Sequence, residues 1–217
     1  PPATFLALSG GGDNGAYAAG LLNGWTAAGN RPEFKLVTGI STGALIAPFA
    51  FVGGAKYDQV LRDFYTGVTS KDVLEERNIL AALTDDAMAD NAPLRRLVGR
   101  VMTGELMQEI AAEHAKGRVL LIGTTNLDAR RGVIWNLTKI AASGHPNSLQ
   151  LIRDLMVASA AIPGGFPPMM IDVEVDGAQQ SVWTTALTVG EAVEGLGLRS
   201  GATMLSASRS SSLGRDV

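Results

Sequence analysis

Two short stretches carry the residue types that could do chemistry. Gly39-Ile40-Ser41-Thr42-Gly43 has the G-x-S-x-G pattern, in which the flanking glycines permit a sharp turn that presents a serine hydroxyl as a nucleophile. A β-prone run, Phe34 to Val37, precedes it and an Ala-, Leu-, Ile- and Phe-rich run follows Thr42, so the turn joins a strand to a helix. A serine that merely caps a core helix would give the same five residues. The second stretch, Gly10-Gly11-Gly12-Asp13-Asn14-Gly15, lies between an apolar run from Thr4 to Ser9 and a helical pattern from Ala16 to Ala28. Glycines at such a turn leave backbone N–H groups uncovered beside the positive end of a helix dipole, which suits an anion. The anion is either a phosphate, because Gly10-x-Gly12-x-x-Gly15 also fits a dinucleotide fingerprint, or the oxyanion formed when a serine attacks an ester. A dinucleotide site requires an acidic residue at the end of the next strand, and that strand ends Val37-Thr38-Gly39. The oxyanion is therefore the stronger reading.

The elements that must position these stretches alternate along the chain. After the serine turn, Tyr57 to Phe64, Val73 to Leu83, Leu94 to Met102 and Glu105 to Lys116 have helical spacing, the last with His114 in its final turn and Gly117 as its stop. A cation at a helix C-terminus is the plain account of His114. Arg118 to Thr124 is a strand, Asn126 to Gly132 a polar loop with Arg130 and Arg131, Val133 to Ile140 a returning strand, and Ser148 to Ser159 a helix that follows His145. Met169 to Val175, Asp176-Gly177 and Ala178 to Thr184 form a hairpin signal, two β-prone runs joined by an Asp-Gly turn. Strands alternating with helices predict an α/β fold with a largely parallel sheet.

The two glycine-bearing stretches together resemble the patatin-like phospholipases, lipid acyl hydrolases that use a Ser-Asp dyad. Gly117 to Asp128 and Ala158 to Pro168 are similar to bacterial members, and the resemblance spans roughly residues 4 to 178. It implies a three-layer α/β sandwich with Ser41 as nucleophile. Gly10, Gly11, Gly12 and Asp13 then form the oxyanion loop, the N–H groups of Gly11, Gly12 and Asp13 being the donors. The family's aspartate motif has one formal match, Asp176-Gly177-Ala178, so Asp176 is either the dyad base or a plain turn residue. A conventional triad would require a histidine late in the chain, and none follows His145. A Ser-Asp dyad needs no histidine, metal or cofactor, provided the carboxylate is desolvated enough to take the serine proton. Phe49 to Val52 and Ile162 to Met170 are candidate walls of an acyl-chain pocket, with core packing the alternative.

The expected partners are a lipid or ester substrate and, by way of a lipid-facing rim, a membrane surface. A net charge of −3 argues against nucleic acid, and the absence of cysteine excludes thiolate chemistry and leaves the compartment open. The uncharged run from 36 to 55 is broken by Gly39, Ser41, Gly43 and Pro48, which argues against a membrane span. Residues 1–195 are expected to form a single hydrolase domain, and 196–217, poor in large apolar residues, a flexible or divergent tail. Two other classes stay open: a lipid-binding pseudoenzyme, if the dyad aspartate is missing, and a nucleotide-binding module that uses the Gly10–Gly15 loop.

Overall fold

The structure, a computed structural model, describes residues 3–67, 91–161, 167–175 and 178–185. The expected helix Val73 to Leu83, the loop Ile162 to Phe166, Asp176 and the tail lie outside the described residues. Strand β1 (Phe5–Leu8) passes through a 3₁₀ turn (Gly12–Asn14) into helix α1 (Gly15–Ala27). Strand β2 (Leu36–Gly39) passes through Ile40 and Ser41 into α2 (Thr42–Val52). Helices α3 (Ala55–Gly67), α4 (Ala92–Val101) and α5 (Gly104–Ala115) come next, followed by β3 (Val119–Asn126) and β4 (Arg131–Asn136). Helices α6 (Leu137–Ala142) and α7 (Ser148–Ala160) then lead to the hairpin β5 (Met169–Val175) and β6 (Ala178–Thr185).

Strands β1, β2 and β3 pair in parallel, with Leu8, Gly39 and Ile122 in register. Residues in register share a face, and Leu6, Leu8, Val37, Leu120 and Ile122 on one face are all buried, with α2 packed directly over Gly39. β4 returns antiparallel along β3, while Thr184 and Thr185 of β6 pair with Asn126 and Thr125. β3 continues past Ile122, where its pairing with β2 ends. β6 therefore occupies the edge of β3 that β2 vacates when the chain turns off into Ser41. The α/β class and the parallel ladder β1-β2-β3 match the sequence, and antiparallel strands attach around β3.

Local chemistry explains the helix ends. The Thr103 hydroxyl accepts from the Leu106 N–H at 3.2 Å and starts α5. Gly117 ends it at φ 70°, donating to the His114 carbonyl at 2.9 Å. β4 stops at Asn136 rather than running to Ile140, because Asn136 Oδ1 accepts from the Lys139 N–H at 3.0 Å and from the Thr138 hydroxyl at 2.6 Å, which starts α6. An apolar alternation that runs on past Asn136 hides this cap in the sequence.

Candidate active site

Ser41 sits at φ 54° and ψ −125°, a backbone conformation that side chains rarely adopt, and is 3% exposed. Its neighbours explain how the conformation is held. A Cβ on Gly39 would lie 2.5 Å from the Gly43 carbonyl oxygen and 2.8 Å from Ala44 Cα. A Cβ on Gly43 would overlap the Leu8 carbonyl and lie 2.7 Å from the Ser9 carbonyl oxygen. Only glycine at both positions lets the turn close onto the end of β1. The Ile40 N–H donates to the Leu8 carbonyl at 3.1 Å. The Ser41 N–H donates to Ser159 Oγ at 2.9 Å, and the Ser159 hydroxyl donates to the Gly123 carbonyl at 2.8 Å. Ser159, at the end of α7, thus ties the turn to β3. Ser159→Ala leaves the Ser41 N–H and the Gly123 carbonyl unpaired in the interior, and a loss of about 1–3 kcal/mol is expected in urea denaturation.

The glycine loop lies beside this turn, because Leu8 and Gly39 are in register and their strands end together. Gly11 at φ 151° and Gly12 at φ 53° both occupy glycine conformations, and the Asn14 N–H donates to the Gly11 carbonyl at 3.0 Å. The N–H groups of Gly11, Gly12 and Asp13 have no hydrogen-bond partner among the described residues, as the opening of a helical turn requires. The N-termini of α1 and α2 therefore both open on the strand ends where Ser41 lies, and their dipoles favour negative charge there.

A hydroxyl pair joins the two helix starts. Thr42 Oγ1 and the Tyr65 hydroxyl are 2.6 Å apart, and both would meet a Cβ placed on Gly15. Burial pushes the Tyr65 phenol up to about 12; the nearby Asp13 adds to the rise, and the Thr42 hydrogen bond opposes it. An unfolded tyrosine ionises near 10, so the contribution of Tyr65 to stability is complete below that pH and is lost as pH rises toward 12. The loss amounts to roughly 2–3 kcal/mol. Alkaline unfolding of Tyr65→Phe should show a shallower decline over this window than the parent.

The opposite end of α2 is closed by two arginines. Arg31 donates to the Ala50 carbonyl at 3.0 Å and pairs with Asp58 at 2.6 Å. Arg118 donates to the Phe51 and Phe34 carbonyls at 2.5 and 2.8 Å, pairs with Glu113 at 2.8 Å and stacks on the Phe51 ring at 4.5 Å. Guanidinium groups at a helix C-terminus complement its dipole. Phe49, Ala50 and Phe51 are consequently core residues at the far end of α2 from Ser41, the core-packing alternative of the two readings of that stretch.

Asp176 lies outside the described residues. Its neighbours Val175 and Ala178 pair across the hairpin, at the end seven residues from Thr185. Thr185 donates to the Ala161 carbonyl, close in sequence to Ser159. His114 is at the end of α5, just before β3 begins, and so at the opposite end of the parallel ladder from Ser41. His145 precedes α7, whose other end carries Ser159, and its Nδ1 accepts from the Asn147 N–H at 3.1 Å. It borders a groove of about 710 Å³ between α6, α7 and β5, with Lys139, Leu151 and Met170 among its walls. No group of three or more histidine or acidic residues able to hold a metal occurs among the described residues.

Comparison with known proteins agrees with this architecture. A model described as a G5-linked-Ubiquitin-like domain matches residues 171–203. No curated protein matches the chain. Among solved structures the chain is similar to VipD from Legionella pneumophila, with a TM-score of 0.50 and 14% identity, over 86% of this chain and 46% of that one. This chain thus spans less than half of VipD, and at that identity the likeness concerns the fold. The model of the patatin-like phospholipases matches residues 6–185, taking in both turns and the sheet that carries them, and by that match the chain belongs to the patatin-like phospholipase family.

Proposed function

We propose that this chain hydrolyses carboxylic esters of lipids through an acyl-enzyme on Ser41. The observation that carries the reading is the backbone of Ser41, held at positive φ by two glycines and the Ser159 hydrogen bond, at the junction of a parallel strand and a helix. Nothing in simple packing calls for a strained serine there, whereas a nucleophile needs its hydroxyl lifted clear of the helix. In the reaction Ser41 Oγ bonds to the ester carbonyl carbon as its proton passes to a base. The negative charge that develops on the carbonyl oxygen is met by the N–H groups of Gly11, Gly12 and Asp13. Collapse releases the alcohol, which takes the proton, and water then cleaves the acyl-enzyme by the same steps in reverse order. Loss of one oxyanion donor typically costs on the order of 3 kcal/mol of barrier.

Asp176 is the proposed base by its place in Asp176-Gly177-Ala178. The pairing of Val175 with Ala178 supports the competing role, a two-residue hairpin turn, because at ~3.3 Å per residue that end lies up to ~23 Å along the strand from Thr185. This register favours one second reading, a lipid-binding protein with impaired turnover. Hydrolysis of a short-chain p-nitrophenyl ester by the parent, Ser41→Ala and Asp176→Asn tests both. Turnover lost in Ser41→Ala and in folded Asp176→Asn supports the dyad. Parent-level turnover in Asp176→Asn assigns it to the turn and the base to another group, and a parent no faster than Ser41→Ala contradicts the hydrolase reading.

A further inference from the structure

Ser41 and the glycine loop belong to different strand–helix units, so their separation has to be fixed by contacts between those units. The backbone fixes it at the strand ends, where the Ile40 N–H donates to the Leu8 carbonyl at 3.1 Å. Beyond that bond the chain continues into two helix starts, and there the spacing rests on side chains. Thr42 directly follows Ser41, and Gly15 stands two residues after Asp13. Tyr65 reaches both from the last turn of α3, a helix packed against α1 and α2. Its hydroxyl lies 2.6 Å from Thr42 Oγ1.

The fit against Gly15 is tight. A Cβ there would run into Thr42 Oγ1 and the Tyr65 hydroxyl, and would lie 2.9 Å from Tyr65 Cζ. Gly15 has ordinary helical angles, φ −56° and ψ −26°, so no turn requires a glycine at this position. Its missing side chain makes room for the hydroxyl pair. Tyr65, Thr42 and Gly15 thus form one contact, with the residue after the nucleophile on one side and the end of the glycine loop on the other.

We propose that Tyr65 is a positioning residue for ester hydrolysis: with Thr42 it holds Gly15, and through it the N–H groups of Gly11, Gly12 and Asp13, at the distance from Ser41 Oγ that the tetrahedral oxyanion needs. This role rests on the hydrolase reading above and adds to it a group that touches no substrate. Donors stabilise a developing charge only at hydrogen-bond distance from it, and a misplacement of about 1 Å can cost on the order of 100-fold in rate. A pair of hydroxyls suits the task because either can donate to the other. Burial pushes the Tyr65 phenol up to about 12, so at neutral pH both partners are uncharged. The contact therefore sets a distance without placing an anion or a cation beside the two helix N-termini that face the oxyanion. Simple packing would require the contact for stability alone, whereas positioning requires it for turnover by molecules that are already folded.

The test is hydrolysis of a short-chain p-nitrophenyl ester, with inhibition by a trifluoromethyl ketone, whose adduct with the serine carries an oxyanion. Tyr65→Phe and Thr42→Val each remove one hydroxyl. Each should lower kcat about tenfold with KM within about twofold of the parent's, and should weaken the ketone by a factor like that in kcat. Thr42→Ser keeps the hydroxyl and should retain the parent's kcat. Thr42→Val/Tyr65→Phe should be no slower than the slower single variant, because all three lose the same contact. Thr103→Ala, which removes the cap of α5, should melt below the parent at the parent's kcat and so separate lowered stability from slowed turnover. If Tyr65→Phe does not fold, the comparison of Thr42→Val with Thr42→Ser decides the matter. Parent kcat in folded Tyr65→Phe, losses that multiply in the double variant, or slowed turnover with unchanged ketone affinity would each overturn the proposal. An active parent with unaffected variants overturns this role alone. A parent that neither hydrolyses the ester nor binds the ketone overturns the hydrolase reading and this role with it.

Discussion

Gly43→Ala should be among the most damaging single-methyl substitutions in this protein, costing more than ~3 kcal/mol and leaving a chain that is insoluble or melts far below the parent. The added Cβ would run into the Leu8 carbonyl and sit 2.7 Å from the Ser9 carbonyl oxygen. These are backbone atoms at the end of a core strand, so neither can swing aside as a flexible side chain would. Relief would require α2 to lift from β1, which would separate the serine turn from the glycine loop and uncover the packing of Ala44 and Ala47 over Gly39. Gly20→Ala and Gly24→Ala supply the contrast. Both lie within α1, where the added methyl would meet nothing beyond its own helix backbone within 4 Å, and each should stabilise by about 0.5–1 kcal/mol, because alanine loses less backbone freedom in a helix. Thermal melts of the three variants separate a general dislike of bulk from the specific closure at the elbow.

Arg118→Met is the second large effect. The guanidinium is buried and serves the Phe34 and Phe51 carbonyls, the Glu113 carboxylate and the Phe51 ring together. Methionine replaces part of the volume and none of the donors, so two carbonyls lose this donor and the Glu113 carboxylate keeps only Lys116. Burial raises the Glu113 pKa, but the hydrogen bonds from Lys116 and Arg118 more than offset this and hold it below its ordinary range. Glu113 is only partly buried and keeps Lys116, so the cost falls chiefly on the two buried carbonyls left without a donor, about 1–3 kcal/mol each, which for a chain of this size means a melting temperature lower by roughly 10 °C. The exposed pair Lys56–Glu105, at 54% and 68% side-chain exposure, should by contrast contribute within about 0.5 kcal/mol when Glu105 is replaced by glutamine. If Arg118→Met melts like the parent, the clamp on the C-terminal end of α2 contributes nothing.

The parts of this site that can be read from the sequence are those written in local backbone chemistry. The strand, turn and helix around Ser41 follow from two glycines between a β-prone run and an Ala-rich run, and the Gly10–Gly15 loop follows likewise. The hairpin is legible to the residue, since Val175 and Ala178 pair on either side of Asp176-Gly177. What could not be read depends on distant pairs. Ser159 belongs to a small-residue stretch that contributed to the family resemblance, yet nothing local shows that its hydroxyl would hold the Ser41 N–H across 118 residues. The grip of Arg31 on the Ala50 carbonyl exists only once α2 has packed, and no local pattern shows it. The same dependence explains why Phe49 to Val52 suggested a ligand wall: an uncharged helix looks alike whether it lines a pocket or fills a core.

The central claim is that Ser41 is a nucleophile, and covalent capture tests it most directly. The parent and Ser41→Ala would be exposed to a fluorophosphonate, digested, and mapped by tandem mass spectrometry. The account predicts one adduct, on Ser41 in the peptide containing Gly39-Ile40-Ser41-Thr42-Gly43, absent from Ser41→Ala and from denatured parent. A folded parent that takes up no label, or one labelled to the same extent in Ser41→Ala, would contradict it.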